Sequence, residues 1–405
     1  MTSADSVDEP ALHASLARRW LAFLLLLLAQ FFYSWSWNTA DILRPYIRDS
    51  LQLSLAQAGS GYSAQGLGAL VGAVVIGQLA DLFGRRLMLM LVMLGFGGVL
   101  IAGVWVDNYP QYVAQRFVLG LFMGGLYPIT IGIYVGLFPA HVRGRLASLQ
   151  DGTFSAALVA LGLAAGALGG RDWHLLLWLG GLPPILLAFT AFALVPATRT
   201  IAPAARADSR STALPVAELF APAVRRQTVL LAMMTGANFF AYQAFSGWLT
   251  TYLNDDRGMT PSAIGSLIAW QFAANIAGCF FWGWTADRFG RRRNAVGLLI
   301  AAGAIAGFLW LPLGDTQLRL VAAVYGFTIA ASVIWGPWLA ELYPPHLRST
   351  ASSIYHWGRI ISFFAPLITG TLAESVGLAP TMMLGCVGFA VAGLIWLQIP
   401  ETLRR

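Results

Sequence analysis

Residues 77–86 read Gly-Gln-Leu-Ala-Asp-Leu-Phe-Gly-Arg-Arg, and residues 283–292 read Gly-Trp-Thr-Ala-Asp-Arg-Phe-Gly-Arg-Arg. Both copies follow long apolar runs, and their glycines, aspartate and arginines recur at the same spacing. A second pair of similar stretches, 137–143 and 342–348, has nearly the same offset. Such repetition indicates two copies of one structural unit. In each loop, glycine allows a tight turn and the aspartate can pair with the neighbouring arginines.

The composition points to lipid as the solvent of this chain. Of its 405 residues, 58% are hydrophobic and 11% are charged, whereas a soluble domain carries about 25% charged residues. A soluble enzyme, a nuclease and a secreted disulfide scaffold are therefore poor interpretations. Cys279 and Cys386 lie in apolar runs, so neither a disulfide nor a metal site is expected. The sequence contains no nucleophile elbow, Walker loop or dinucleotide motif, so we expect neither an enzyme nor a cofactor.

Twelve apolar stretches are long enough to cross a bilayer as helices, since about 20 residues span its hydrocarbon core. We therefore expect an all-α membrane protein with twelve transmembrane helices. An N-terminal six-helix bundle (1–195) is predicted, then a polar linker (196–226) and a C-terminal six-helix bundle (227–405). The predicted spans are 18–43, 55–80, 86–106, 111–138, 145–169, 173–195, 226–253, 262–286, 294–314, 318–343, 349–374 and 379–399.

The distribution of charge predicts the orientation in the membrane. All 25 basic residues are arginines, and most lie in the N-terminus, the even-numbered loops, the linker and the C-terminus. By the positive-inside rule these segments face the cytoplasm. We therefore expect a multi-pass protein of the bacterial cytoplasmic (inner) membrane with both termini in the cytoplasm. Arg116 and Arg359 lie within spans, where a charge is costly and indicates function.

The repeated motif, together with Arg116-x-x-x-Gly120 at the start of span 4, resembles the major facilitator superfamily over essentially the whole chain. The resemblance implies two pseudo-symmetric six-helix bundles that alternate access to a central site. It also implies that the loop motif is a conformational gate that does not touch substrate, whereas a purely topological arginine cluster is the alternative. The gate residues so implied are Gly77, Asp81, Gly84, Arg85, Arg86, Gly283, Asp287, Gly290, Arg291 and Arg292.

Arg359 is the leading candidate for substrate binding. It lies about 15 Å along span 11, near the bilayer midplane, within a polar stripe of residues at helical spacing. Because a guanidinium forks well onto a carboxylate, Arg359 is predicted to bind a substrate anion, and a structural pair with a buried acid is the alternative. Amides and phenols in the spans are expected to orient the substrate or to hold helices together. They are Tyr127, Asn238, Tyr242, Gln243, Gln271, Asn275 and Tyr355.

Asp151, Asp41 with Arg116, and His356 are the candidates for proton coupling, in that order. Asp151 would be buried about 10 Å along span 5, as a proton site or as a packing acid. Asp41 ends span 1 near Arg44, and a solvated Asp41–Arg44 pair is favoured over a proton carrier. His356 is either a proton carrier or a neutral hydrogen-bonding group. The resemblance links Arg116 with proton transfer.

Within the superfamily, residues 342–348 and 358–370 resemble proton-coupled carriers of organic acids, including aromatic acids, lactate and sialate. Residues 143–145, 243–247 and 400–402 resemble the sugar porters instead. The chain departs from that second pattern at Tyr242, which stands where sugar porters carry a glutamine.

The predicted function is therefore proton symport of a small carboxylate by alternating access. A sugar-porter-like symporter or facilitator is the alternative, and a drug exporter fits less well. The expected partners are the carboxylate, protons as the coupling ion and the lipid bilayer, with no nucleic acid. The expected state is a monomer.

Overall fold

The computed structural model describes residues 15–169, 172–196, 218–344 and 347–402, and over these ranges the chain is helical and contains no strand. The helices are α1 (Leu16–Ile42), α2 (Arg44–Leu51), α3 (Leu55–Phe83), α4 (Arg85–Ala102), α5 (Tyr109–Gly124), α6 (Leu126–Leu137), α7 (Ala140–Ala164), α8 (His174–Leu194), α9 (Arg225–Phe245), α10 (Leu249–Asp255), α11 (Pro261–Phe289), α12 (Ala295–Trp310), α13 (Asp315–Ile329), α14 (Trp335–Glu341), α15 (Arg348–Val376) and α16 (Leu378–Trp396).

Ten helical stretches among the described residues are long and apolar enough to cross a membrane, and each corresponds to a predicted span. The two remaining predicted spans, the seventh and the eleventh, also form helices, α9 and α15. These two helices carry Asn238, Gln243 and Arg359, the polar residues on which the predicted site depends. The all-α membrane architecture is therefore confirmed.

Several predicted spans are interrupted where the sequence disfavours a continuous helix. Span 4 is divided between α5 and α6 at Gly124 and Gly125, because glycine weakens a helix interior. Span 7 is divided between α9 and α10 by residues 246–248. After α1, the chain restarts at once as α2, whose first turn contains Pro45, a residue suited to a helix start.

Contacts divide the chain into two compact units. The first comprises Ala64–Ala157 and the described parts of Met1–Trp37 and Leu177–Asp208, and the second comprises Asn38–Ser63, Leu158–Leu176 and the described part of Ser209–Arg405. This grouping does not follow the sequence repeat, because two segments of the predicted N-terminal half belong to the second unit. The division into two six-helix bundles stays a prediction, and residues 197–217 of the predicted linker lie outside the described residues.

In the first unit, glycine allows α3 and α5 to approach closely. A methyl group placed on Gly120 would lie 1.9 Å from the backbone oxygen of Gln65, and one on Gly68 would lie 2.0 Å from that of Phe117. Small residues of this kind let membrane helices pack backbone against backbone. α4 packs against α5 and α6 in the same unit.

In the second unit, α9 packs against α15 and α16, and α11 packs against α13. Large aromatic side chains fill this core, including Trp248, Tyr325 and Phe389. Phe280, by contrast, is 77% exposed on α11. Apolar side chains exposed in this number along helices of spanning length are typical of a surface that faces lipid, and the chain is a multi-pass membrane protein.

Candidate functional site

The carboxylate of Asp41 and the guanidinium of Arg44 form a buried ion pair at the junction of α1 and α2. Their oxygen and nitrogen, Oδ1 and Nη2, are 2.5 Å apart, and the exposed fractions are 6% for Asp41 and 0% for Arg44. Arg44 also donates to the backbone oxygen of Gly247, and its guanidinium lies 4.3 Å from the ring centroid of Trp248. The expectation of a solvated pair is wrong, because the break between α9 and α10 covers both charges.

Gln243 completes the surroundings of the Asp41 carboxylate. Its Nε2 lies 3.1 Å from Oδ2 and 3.4 Å from Oδ1 of Asp41, and the side chain is 1% exposed. The hydroxyl of Thr250 donates to the backbone oxygen of Asp41 at 2.7 Å. Burial of a charge is tolerated when such partners replace its hydration. Gln243, predicted to bind substrate, is therefore a partner of Asp41.

A narrow cavity lies beside this ion pair within the second unit. Its free volume of about 20 Å³ admits a water molecule or a hydroxyl group. Apolar side chains of α1, α7, α10 and α11 form the rest of the wall. The polar residues that line it are Asn38, Asp41, Tyr242, Ser246, Thr250 and Gln271.

Besides Gln243, whose Oε1 accepts no hydrogen bond among the described residues, two of the predicted substrate-binding amides have buried atoms without a partner there. Gln271, which is 1% exposed, has no hydrogen-bond partner for either Nε2 or Oε1. Asn238, on α9, has none for its Oδ1. Asn275 differs from both, because its Nδ2 donates to the backbone oxygen of Gly326 at 2.9 Å and so ties α11 to α13.

Arg359 packs against an aromatic ring of α9. Its guanidinium carbon lies 5.5 Å from the ring centroid of Phe239, and the residue is half-buried. Tyr242, one turn along α9 from Phe239, lines the cavity beside the buried ion pair. The same helix therefore carries the ring that packs on Arg359 and a phenol of the cavity wall.

Arg116 and Tyr127, two further predicted site residues, belong to the first unit. The Nη1 of Arg116 lies 3.3 Å from the Oε1 of Gln65, and the guanidinium lies 5.4 Å from the ring of Tyr112. Arg116 is 2% exposed. Its predicted partner Asp41 belongs to the other unit, and sequence reasoning missed Gln65, whose polar side chain within span 2 was the available signal.

The remaining predicted residues lie outside the part of the structure that can be described. These are the side chains of Asp151, Tyr355, His356 and Asp81. Their assigned roles stay predictions.

In the first unit, the loop motif turns at Gly84, whose φ of 91° favours glycine. Arg85 donates through Nη1 to the backbone oxygen of Gly132 at 2.8 Å, and Arg86 lies 4.4 Å from the ring of Phe192. The first pair of arginines therefore holds this loop against the helices of its own unit.

In the second unit, the same turn occurs at Gly290, with a φ of 106°. Arg291 pairs with Asp287, as the motif predicts, at 2.5 Å, and also with Glu341 at 3.1 Å. Burial alone lowers the pKa of the Arg291 guanidinium, but the hydrogen bonds to Glu341 and Asp287 raise it above its ordinary value. The second arginine cluster therefore has specific carboxylate partners.

A carboxylate that sequence reasoning did not assign to the gate completes this cluster. The two carboxylate oxygens of Glu401 accept the backbone N–H groups of Arg291 and Arg292, each at 3.0 Å. The hydroxyl of Thr402 donates to Glu341 at 2.6 Å. The available signal was the pair of acids at the end of span 10 and just after span 12, Glu341 and Glu401, at the same membrane edge as the motif.

A family model described as Major Facilitator Superfamily matches this chain twice, over residues 26–359 and 231–405. The chain is 29% identical to the 3-(3-hydroxy-phenyl)propionate transporter of Escherichia coli, with 88% of each chain covered. It is 25% identical to the 4-hydroxybenzoate transporter PcaK of Acinetobacter baylyi, over 86% of this chain and 84% of that protein. A cis,cis-muconate transport protein of the same organism is 26% identical, over 83% of this chain and 84% of its own.

Solved structures share the fold. The crystal structure of a D-xylose–proton symporter superposes with a TM-score of 0.76 at 16% identity, covering 94% of this chain and 98% of that chain. A bacterial homologue of the human lysosomal transporter Spinster gives 0.77 at 15% identity, covering 95% and 97%. The predicted twelve-helix fold agrees with these matches.

Proposed function

The chain belongs to the Major Facilitator Superfamily and is a transporter rather than an enzyme, and from this premise we propose that it carries a small organic carboxylate across the membrane in symport with protons. The observation that carries the proposal is the position of Arg359 in α15. Its half-buried guanidinium packs on the ring of Phe239 in α9. A guanidinium beside an aromatic face offers both halves of a site for an aryl carboxylate, a charge and a stacking surface. Relatives named for aromatic acids support this substrate class.

Arg359 anchors the carboxylate in this proposal. It lies about 17 Å along α15 from Arg348, so a bound anion would sit deep in the membrane. A permanently charged group is costly at this depth, so its presence indicates a function. The carboxylate neutralises the guanidinium, and the neighbouring ring excludes water from the ion pair.

Asp41 is the proton-coupling acid that the geometry favours among the candidates with described side chains. The groups that face it are the guanidinium of Arg44, the amide of Gln243 and the phenol of Tyr242. Protonation of Asp41 would remove the charge that holds Arg44 and Gln243. Because Asp41 and Arg44 belong to the predicted N-terminal half and Gln243 to the C-terminal half, loss of that charge would release one half from the other.

The cluster around Arg291 is the conformational gate in this mechanism. Asp287, Glu341 and Glu401 hold the loop in one conformation, and separation of these charges would accompany opening at that end. We propose that this end faces the cytoplasm of a bacterial inner membrane, with both termini on the same side, because the arginine-rich segments lie there. Protons are then the only coupling ion and no cofactor is required.

Uptake of a neutral sugar is the second candidate. Three buried amides, Asn238, Gln243 and Gln271, lie in the second unit, and amides are suited to binding hydroxyl groups. The carboxylate proposal accounts better for a guanidinium at this depth, because a neutral sugar brings no charge that Arg359 could bind.

Uptake into proteoliposomes tests the proposal directly. Radiolabelled benzoate, 4-hydroxybenzoate and xylose are offered with and without an inward acid gradient. Carboxylate uptake that rises with the gradient is expected. Sugar uptake, or carboxylate uptake indifferent to the gradient, would contradict proton symport of an acid.

Matched arginine variants test the anchor. Arg359→Lys keeps the charge but loses the planar fork, so carboxylate uptake should fall at least tenfold while the amount of inserted protein stays constant. Arg319→Lys is the control, because Arg319 is also half-buried in the second unit and lies in the first turns of α13. Equal uptake by the two variants would refute the role of Arg359.

A further inference from the structure

One polar side chain in the wall of the cavity beside Asp41 makes no hydrogen bond with the described part of the chain. Gln271 lines this cavity, is 1% exposed, and has no hydrogen-bond partner among the described residues for either its Nε2 donor or its Oε1 acceptor. A buried amide without partners is strongly unfavourable, and almost all such groups in folded proteins are paired. Gln271 is therefore positioned for a group that enters the cavity.

The charge of the cavity wall determines what that group can be. Both carboxylate oxygens of Asp41 face donors already, Arg44 and Gln243. Among the described residues that line the cavity, only Asp41 carries a charge, and Arg44 pairs with it from outside the wall. A second carboxylate that entered here would therefore meet Asp41 without a compensating cation. A neutral group that both donates and accepts would instead pair with both ends of the Gln271 amide.

The size of the cavity points to the same group. About 20 Å³ is free, which is room for one hydroxyl or one water molecule. Tyr242 and Ser246 supply two further hydroxyls in the wall, and that of Ser246 is bonded to Tyr325 at 2.9 Å. An aromatic ring itself does not fit here, but a substituent on a ring would.

The cavity also lies at a suitable position relative to Arg359. Phe239, which packs on Arg359, and Ser246, which lines the cavity, are seven residues apart on and just after α9, about 10 Å along the helix axis. One aromatic ring with two substituents bridges such a separation. In this arrangement a carboxylate at Arg359 and a substituent in the cavity would belong to one substrate molecule.

We propose that Gln271 is a specificity-determining residue that recognises a neutral hydroxyl group on the end of the substrate remote from its carboxylate. This inference rests on the proposed function, since it takes Arg359 as the anchor of the acid. The preferred substrate is then a hydroxylated monocarboxylic acid, in preference to the unsubstituted acid and to a dicarboxylic acid. The names of the relatives do not decide this choice, because they include both hydroxy acids and cis,cis-muconate.

Paired substrates in proteoliposomes test this selectivity. The pairs are 4-hydroxybenzoate with benzoate, and 3-(3-hydroxyphenyl)propionate with 3-phenylpropionate, and terephthalate is the dicarboxylate. In the pair that the wild-type protein transports better, kcat/KM should be about 10- to 100-fold higher for the hydroxylated acid than for the unsubstituted acid. A difference of this size is expected when the unsubstituted acid leaves a buried polar group unpaired. Gln271→Leu should reduce that ratio to near one, mainly by loss of the hydroxylated substrate.

Two further variants keep the test decisive. Gln271→Asn retains an amide on a shorter stem, so it should give an intermediate ratio even if the leucine variant does not insert. Thr251→Val is the matched control, because the hydroxyl of Thr251 is also buried and unpaired but does not line the cavity. Its ratio should equal that of the wild type.

The outcomes separate this inference from the proposed function. If the wild-type protein takes up none of the carboxylates, the proposed function itself fails. If it takes up both members of each pair equally, or if the Gln271 variants leave the wild-type ratio unchanged, Gln271 pairs only with water and the inference is refuted while acid transport stands. Faster uptake of terephthalate than of 4-hydroxybenzoate would also overturn it.

Discussion

Two ion pairs of equal length but different burial allow a quantitative prediction about the junction of α1 and α2. Asp41–Arg44 and Arg48–Asp255 each have a nitrogen–oxygen distance of 2.5 Å, but Arg44 is fully buried and the side chains of Arg48 and Asp255 are 23% and 20% exposed. Removal of one member of a buried pair leaves an uncompensated charge, which costs about 3–5 kcal/mol. An exposed pair contributes about 0–1 kcal/mol, because water and ions screen it.

Arg44→Met and Asp41→Asn should therefore each lower the free energy of unfolding by about 3–5 kcal/mol. The double variant should be less destabilised than either single variant, because neither charge is then left alone. A loss of about 2–3 kcal/mol should remain, because the Gly247 carbonyl and the Trp248 ring lose their cation.

The measurement is denaturant unfolding of the purified protein in detergent, followed by circular dichroism, for both single variants and the double variant. Arg48→Met and Asp255→Asn provide the control cycle, with losses of no more than about 1 kcal/mol each. Equal losses in the two cycles, or purely additive losses at Asp41 and Arg44, would refute the argument that burial makes this pair important.

Three substitutions test other features of the fold. Gly120→Ala should lower the thermal midpoint in detergent, since the added methyl group lies 1.9 Å from the backbone of Gln65 and overpacking costs about 1–3 kcal/mol; an unchanged midpoint would contradict the close helix contact. Gly290→Ala should impair folding because its φ is 106°, whereas Gly283→Ala, with no atom within 4 Å of the new methyl group, should be neutral or slightly stabilising. Glu341→Gln should slow transport but shift the midpoint little, because this carboxylate is 37% exposed; a large shift with normal uptake would show that it is structural only.

The repeated loop motif allowed the fold to be predicted from sequence because its information is local. Glycine at positions 84 and 290 is required by the backbone conformation that each adopts, and apolar runs of spanning length need no tertiary contact to be recognised. The pairing of Arg291 with Asp287 is also local, since the two residues are four apart in sequence. For the same reason the sequence did not indicate Glu401, which reaches the motif only through the packing of α16 against α12.

The candidate site was less predictable because burial depends on distant segments. Asp41 and Arg44 are three residues apart, so their pairing could be foreseen, but their burial depends on Gly247 and Trp248, about 200 positions later in the chain. Gln243 illustrates the same limit. Its position on a polar stripe of α9 suggested substrate binding, and only the folded chain brings its amide onto the Asp41 carboxylate.

The distinction between satisfied and unsatisfied polar groups is what the structure adds to the list of candidates. In sequence, Gln243 and Gln271 are equivalent, since each is an uncharged amide in an apolar span. In the structure, the Nε2 of Gln243 donates to the Asp41 carboxylate and only its Oε1 is unpaired, whereas Gln271 lines a hydroxyl-sized cavity and neither of its polar atoms has a partner among the described residues. A buried amide whose donor pairs with a charged group of the protein contributes to the fold, whereas one with neither polar atom paired gains its partners only when something else binds. Substitution of Gln243 should therefore affect stability and gating for every substrate equally, and substitution of Gln271 should change which substrate is preferred.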